Sequence, residues 1–382
     1  MSKRITLNET SYFGPGSIKV LADELKNHNI QRVLVVTDPD IVKAKIVMKI
    51  TKILATSKIV YLVFDKIRAN PSIHNVRSCV DTATLFRADC LIAVGGGSVL
   101  DTAKAASVVL TNPEFKDVRK LEGLSKTKNK GLPLIALPTT CGSGSEATST
   151  YVITDEDRQR KFTCIDAHSI PMLSIVDSEL SAKMPSELCA TTGMDALAHA
   201  VEAYVTKDSW QMTDMYCLEA IRLIGSSLRA AVKGNEKARE QMSYAQYIAG
   251  MGASNSGLGL VHAMAHPLSA VFDVPHGLAC AVLLAPVMAS NAASTGEKYR
   301  EIAVAMGAKV SSKATPAVYR KAAVTSIEKL VKEIGIGKKL KLTVQKKDLE
   351  LLAETALKDV CLSGNPKEVT KKKIIDIYKS VL

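Results

Sequence analysis

The sequence predicts a fold in two parts: a Rossmann-like α/β domain on a parallel sheet over residues 1–183, then an all-α domain over residues 184–382. Three observations lead there. The 382 residues are more than one hydrophobic core ordinarily organises. Short β-branched apolar runs alternate with amphipathic stretches through the first half. From about residue 185 those runs cease, and apolar residues recur at helical spacing instead.

RVLVVTD (32–38), KIVYLVFD (58–65) and ADCLIAVGGGS (88–98) share one design, an apolar run closing on an acid or on glycines. Around them, SIKVLADELKNHN and VLDTAKAASVVL carry the spacing of amphipathic helices. Strands joined in this way form a parallel sheet with helices on both faces. Further short strands are expected at LPLIALP (132–138), YVIT (151–154), KFTCID (161–166) and LSIVD (173–177). The boundary falls in SELSAKMPSE, near residues 180–185. PSELCATTGMDALAHAVEAYV opens the helical half, with Ser186 placed to cap it. Helical patterns continue around 209–232, 236–255, 257–270, 297–306, 315–334 and 347–359.

Composition narrows the function classes. A hydrophobic fraction of 47% excludes general disorder. No apolar run reaches the roughly 18 to 20 residues that a membrane span needs, and MSKRITLNETSYFG has no apolar leader core, so a cytoplasmic protein is expected. The eight cysteines are scattered without a CxxC pair, which fits a reducing compartment. Basic residues exceed acidic ones by 50 − 38 = 12. Much of that excess sits in KKLKLTVQKK and KEVTKKK, and one Trp with six Phe offers little for base stacking. A solvated basic face is expected, and no nucleic-acid partner.

Gly95-Gly96-Gly97-Ser98 lies between an apolar strand and a helix, where backbone N–H groups and a helix N-terminus can meet a pyrophosphate. Asp101 and Lys104 fall on the first turns of that helix, and no GxGxxG follows the first strand. Asp38 ends RVLVVTD; it can accept from an adenosine ribose and disfavour a 2′-phosphate, or it can simply cap the next helix. PTTCGSGSEAT (138–148) is a second loop rich in hydroxyls and glycines, suited to lining a cofactor. Cys141 within it has no local base, so a thiol nucleophile is set aside.

Histidines supply the sharpest signal. His262, His266 and His276 fall within fifteen residues, and His199 makes four of the chain's seven. Asp195 and His199 are spaced i, i+4 on a helix, so both project from one face; His262 and His266 repeat that spacing. His276 follows in DVPHG, where Pro275 and Gly277 are expected to fix a turn. One carboxylate with three imidazoles suits divalent iron or zinc. Spacing alone leaves open which of His262, His266 and His276 stands outside the ligand set.

GGGSVLDTAK, LPTTCGSGSEAT, TGMDALAHAVEAYV and GLGLVHAMAHPLSAVFDVPHG together resemble the iron-containing (group III) alcohol dehydrogenases, and the likeness runs from LNETSYFGPGS to DVCLSGNPKE. The resemblance implies a dehydroquinate synthase-like architecture, with a dinucleotide-binding domain, a helical domain and an active site in the cleft between them. It implies a metal held by Asp195, His199, His262 and His276, with Fe2+ usual and Zn2+ able to use the same donors. His266 then positions substrate or relays a proton. The NAD(H) contacts it implies are Asp38, Asn70, Gly97, Ser98, Thr139, Thr140, Ser149 and Lys161, beside Gly96 and Asp101 of the glycine loop and helix. The expected reaction is hydride transfer between NAD(H) and small alcohols, diols or hydroxyaldehydes, lactaldehyde to 1,2-propanediol foremost, in a homodimer formed through the N-terminal segment. Thr150 and Ala253 depart from the close members, which carry Asn and Phe there, and the smaller Ala253 implies a wider pocket. The rival on the same architecture is an NAD- and metal-dependent lyase or cyclase, which would need a basic cleft that the helical motifs do not offer.

Overall fold

The structure, a computed structural model, describes residues 2–124, 127–337, 340, 342 and 344–382. It divides into two compact units, Lys3–Thr140 with Ser145–Met184, and Cys141–Gly144 with Pro185–Leu382.

The first unit contains strands β1 (Thr10–Phe13), β2 (Arg32–Val36), β3 (Val60–Phe64), β4 (Cys90–Gly95), β5 (Gly123–Leu124), β6 (Leu134–Pro138), β7 (Thr150–Asp155), β8 (Arg160–Ile165) and β9 (Leu173–Val176). Its helices are α1 (Leu21–Asn27), α2 (Pro39–Lys43), α3 (Ile46–Thr56), α4 (Ile73–Phe86), α5 (Gly97–Thr111) and α6 (Ser178–Ser181). Six strands form a parallel sheet in the order β1-β9-β6-β4-β2-β3.

The alternation of side chains along a strand divides its core into two layers. Val33, Val35, Ile92, Val94, Ile135 and Leu137 pack with α1 and α3 on one face. Leu34, Val36, Leu91, Ala93, Leu134 and Ala136 pack with α4 and α5 on the other. The expected strands around 151–154 and 161–166 do not join this sheet. They pair antiparallel as β7 and β8 and, with β5, make a second three-stranded sheet. Tyr151, Ile153, Phe162 and Cys164 of that sheet bury against Ile73 and Val76 of α4 and Ala105 and Val108 of α5.

The second unit is helical: α7 (Ser186–Val205), α8 (Gln211–Val232), α9 (Glu236–Ser256), α10 (Leu260–Phe272), α11 (His276–Asn291), α12 (Lys298–Ala305), α13 (Pro316–Glu333), α14 (Lys346–Lys358) and α15 (Lys371–Val381). α7 and α10 are buried on almost every side, as central helices are. Two local expectations are corrected here. Ser186 is the first helical residue rather than the cap; Pro185 precedes it with no side-chain cap. The DVPHG turn is instead the start of α11, whose first residue is His276. Gly277 lies inside that helix, and a Cβ there would stand 2.5 Å from the Thr191 carbonyl oxygen, so glycine allows α11 to approach α7.

The segment His276–Ser294 is, against expectation, long and apolar enough to cross a membrane by length and composition alone. Ala279–Ala285, Val287 and Met288 are buried within the helical unit, which makes it a core helix. Of the two basic stretches, residues 338, 339, 341 and 343 lie outside the described residues. In the other, Lys371 pairs with Glu350 at 2.5 Å and Glu354 at 2.7 Å.

Candidate active site

The sheet order creates a switch point in the first unit. From β2 the chain passes to β3 on one side and returns to β4 on the other. In open parallel sheets, ligands sit beyond the carboxyl ends of the strands at such a point. Here those ends are Thr37-Asp38 after β2 and Gly96-Gly97-Ser98 after β4.

A Cβ on Gly95 would stand 2.5 Å from Val99 Cγ2, and one on Gly96 3.2 Å from Thr140 Cγ2, so both glycines admit a tight turn from β4 into α5. α5 runs fifteen residues from Gly97, and its first N–H groups have no intrahelical acceptor. Asp38 caps α2, accepting from the Ile41 N–H at 2.9 Å through Oδ1. Burial pushes its carboxyl up, against backbone hydrogen bonds that lower it.

Asp101 is turned inward. Oδ1 accepts from Ser145 Oγ at 2.6 Å and Oδ2 from the Val152 N–H at 2.9 Å, tying α5 to β7. Lys104, fully buried, donates to Thr148 Oγ1 at 2.8 Å and the Thr150 carbonyl at 3.0 Å. Burial pulls its ammonium down to about 8 despite the nearby Asp101 and Glu146. Asn70, at φ +56°, accepts from Lys161 Nζ at 2.7 Å, so these two expected contacts stand side by side. Thr139 Oγ1 is buried without a hydrogen-bond partner, and Ser149 is buried with its carbonyl accepting from the Asp166 N–H at 2.9 Å.

Residues 141–144 of the hydroxyl-rich loop belong to the helical unit. The Gly144 N–H donates to Gln246 Oε1 at 2.8 Å. At φ +58°, a Cβ on Gly144 would meet the Gln246 carbonyl at 2.7 Å.

In the helical unit, α7, α10 and α11 bring Asp195, His199, His262 and His276 together. Asp195 Oδ1 lies 3.7 Å from His199 Nδ1, 3.9 Å from His262 Nε2 and 3.6 Å from His276 Nε2. The His199 and His262 rings are 4.3 Å apart, and those of His262 and His276 5.6 Å. Cys280, one turn along α11, adds its Sγ at 3.7 Å from His276 Nε2. The donor atoms of Asp195, His262, His276 and Cys280 all lie within 4.8 Å of one another.

Neighbouring groups fix the tautomers. His199 Nδ1 lies 2.9 Å from the Asp195 carbonyl, so Nδ1–H donates and Nε2 keeps its lone pair. His262 Nδ1 lies 2.7 Å from Glu202 Oε2, and the Val261 N–H donates to Oε1 at 2.6 Å. Burial lowers His262, but the Glu202 hydrogen bond and charge outweigh it and raise the imidazole above its ordinary value. Burial and the neighbouring His262 pull His199 down to about 4.

His266 stacks on His276 at 5.5 Å, and its Nδ1 lies 2.7 Å from Asp359 Oδ2. Burial alone would raise the Asp359 carboxyl; the charge and hydrogen bond of His266 hold it down to about 2. Glu202, Asp359 and Cys280 were missed in the sequence.

The cluster fits a divalent ion. Asp195 Oδ1 and His262 Nε2 are buried with no hydrogen-bond partner, an arrangement that costs about 1–3 kcal/mol per atom unless something else satisfies it. Two donors about 2.0–2.3 Å from one ion stand roughly 3.3–4.5 Å apart, and the separations of 3.6 and 3.9 Å fall in that range.

A glycine turn at a sheet switch point and a buried carboxylate–imidazole cluster define a chain equipped for metal-assisted dinucleotide chemistry. Comparison with known proteins makes the class specific. The chain matches the iron-containing alcohol dehydrogenase model over residues 8–178 and the C-terminal model of the Fe-containing alcohol dehydrogenase family over 189–382. It is 45% identical over 379 residues to lactaldehyde reductase of Escherichia coli (strain K12), covering 99% of each chain. It is 36% identical to NAD-dependent methanol dehydrogenase of Bacillus methanolicus, covering 97% of this chain and 98% of the other. A crystal structure of 1,3-propanediol oxidoreductase superposes with a TM-score of 0.95 at 35% identity, over 99% of each chain. The chain belongs to the iron-containing alcohol dehydrogenase family and is an alcohol/aldehyde oxidoreductase.

Proposed function

We propose that the enzyme is an NAD(H)-linked reductase of small hydroxyaldehydes, taking lactaldehyde to 1,2-propanediol, with ferrous iron on Asp195, His199, His262 and His276. Zinc suits the same donors. One observation carries the metal reading: Asp195 Oδ1 and His262 Nε2, both buried and unsatisfied, face each other among three imidazoles. When bound, the ion polarises the carbonyl and stabilises the alkoxide as a Lewis acid.

The chain's own residues do the rest. Glu202 holds His262 in the tautomer with Nε2 inward, and the Asp195 carbonyl does the same for His199. His266, its Nδ1 proton committed to Asp359, turns Nε2 toward the alcohol oxygen and moves a proton there. Gly96, Gly97 and Ser98 at the amino end of α5 hold the pyrophosphate. The second oxygen of Asp38 takes the ribose hydroxyls and repels a 2′-phosphate, which selects NAD. Asn70, Thr139, Thr140, Ser149 and Lys161 contact the remainder of the cofactor. Asp101, engaged through both oxygens, acts by bracing α5.

The name of the NAD-dependent methanol dehydrogenase relative supports the cofactor, and that of lactaldehyde reductase the substrate pair. A homodimer is supported by β1, an edge strand whose last residue, Phe13, is exposed, as is Leu7 before it. A cytoplasmic setting is supported by eight cysteines scattered without a CxxC pair. Ala253, small and buried in α9, gives a broader aldehyde range.

The test is anaerobic NADH oxidation with lactaldehyde, glycolaldehyde and propanal. Turnover with all three and the highest kcat/KM for lactaldehyde is expected. A preference for propanal over both hydroxyaldehydes would overturn the substrate assignment.

A further inference from the structure

Most of the cysteines are ordinary small apolar side chains. Cys79, Cys90, Cys164, Cys189 and Cys217 are buried, and burial pushes each thiol up. Cys280 differs in what it faces. It is buried on α11, one helical turn after His276, so both side chains project from the same face. Its Sγ lies 3.7 Å from His276 Nε2 and within 4.8 Å of the donor atoms of Asp195 and His262. Two of those atoms, Asp195 Oδ1 and His262 Nε2, are themselves buried without a hydrogen-bond partner and point into the same space. The 3.7 Å separation from His276 Nε2, which an S–H···N hydrogen bond also spans, is one that two donors to one ion adopt.

We propose that Cys280 is an additional protein donor to the metal centre, a thiolate that strengthens its hold on zinc and widens the set of ions it takes beyond ferrous iron. The proposal rests on the metal reading given above. On holding an ion, Cys280 would give up its thiol proton to solvent and donate as thiolate, with no change of oxidation state. Thiolate is the softest donor in the set, a ligand that suits zinc, and zinc and cobalt already stand above iron in general affinity for such donors. Two features of α11 position it. Gly277 lets the helix approach α7, and the i, i+4 spacing then delivers His276 and Cys280 together.

The experiment uses the full chain, stripped of metal and titrated with cobalt(II), read by absorption. Cobalt held by the centre gives visible d–d bands that His262→Ala abolishes. If Cys280 is a donor, the wild type also shows a near-ultraviolet sulfur-to-cobalt charge-transfer band at one equivalent. That band is lost in both Cys280→Ala and Cys280→Ser, while the d–d bands persist, shifted. Cys361→Ala keeps the band, because Cys361 groups with His266 and Asp359 instead. Zinc retention against a chelator falls by about tenfold or more in Cys280→Ala, with a smaller loss for iron. A wild-type spectrum with His262-dependent d–d bands and no charge-transfer band overturns the proposal and leaves the metal centre standing. So does a band that survives Cys280→Ala. Cobalt that binds with no dependence on His262 overturns both.

Discussion

Glu202 offers a quantitative test of how the metal centre is built. It is almost wholly buried, and its two oxygens are divided: Oε1 accepts from the Val261 N–H at 2.6 Å, and Oε2 from His262 Nδ1 at 2.7 Å and from the His262 N–H at 3.3 Å. Glu202→Gln preserves the volume but replaces one acceptor with an NH2 donor. If the amide oxygen stays on Val261, the NH2 group faces His262 Nδ1. The imidazole then satisfies it by accepting there and carrying its proton on Nε2, the nitrogen needed for the ion. If the amide flips, the Val261 N–H faces a donor instead, at a cost of about 1–3 kcal/mol. Loss of the carboxylate charge also removes what raises the basicity of His262. The expected result is a metal affinity about 10- to 100-fold weaker, or roughly 1.4–2.7 kcal/mol. Competition against a chelator of known affinity measures it, with folding checked by circular dichroism. An affinity within about twofold of wild type in a folded Glu202→Gln protein would refute the tautomer argument.

Other perturbations probe the elements that carry the site. Gly277→Ala puts a methyl 2.5 Å from the Thr191 carbonyl oxygen; it should lower stability by about 1–3 kcal/mol in chemical denaturation and weaken metal binding through His276. Asp38→Ser keeps a side-chain acceptor for the α2 cap while removing the charge; the ratio of kcat/KM for NADPH over NADH should rise at least about tenfold, and an unchanged ratio would assign Asp38 to capping alone. Lys104 gives a pH signature. Its folded value is depressed from 10.5 to about 8, so between those values the unfolded chain binds the extra proton and stability rises with pH. The advantage is complete above 10.5 and lost as pH falls through about 8, a swing of about 3 kcal/mol. The stability difference between wild type and Lys104→Met, followed by urea unfolding from pH 7 to pH 10.5, should show that rise, and a flat difference would contradict it.

The sequence was legible where a local pattern decided the structure. β2, β4 and β6 are runs that alternate between two buried layers, β3 and β9 are apolar runs of the same sheet, and Asp195–His199 and His262–His266 are helical repeats. It was silent where the outcome depends on distant partners. β1 is a four-residue edge strand, recognised only by its pairing with β9. β7 and β8 read as strands, but nothing in their residues says that they leave the main sheet. Glu202 meets His262 across 60 residues and Asp359 meets His266 across 93, beyond any spacing rule. Cys280 is a different case. Reading Pro275-His276-Gly277 as a turn hid the helix, and with it the i, i+4 relation of His276 to Cys280. Asp38 combined a strand end with a cap, two roles that its neighbours could not separate.

The central claim is that an ion at the Asp195–His199–His262–His276 cluster is required for hydride transfer from NADH to an aldehyde. Its most direct test strips the enzyme of metal, reloads it anaerobically with iron or zinc, and follows NADH oxidation with lactaldehyde in wild type and in an Asp195→Ala, His262→Ala double variant. The account predicts turnover that disappears on stripping, returns with about one equivalent of metal per chain, and is absent from the double variant even when it binds NADH. Undiminished turnover in the stripped wild type, or in the double variant, would contradict it.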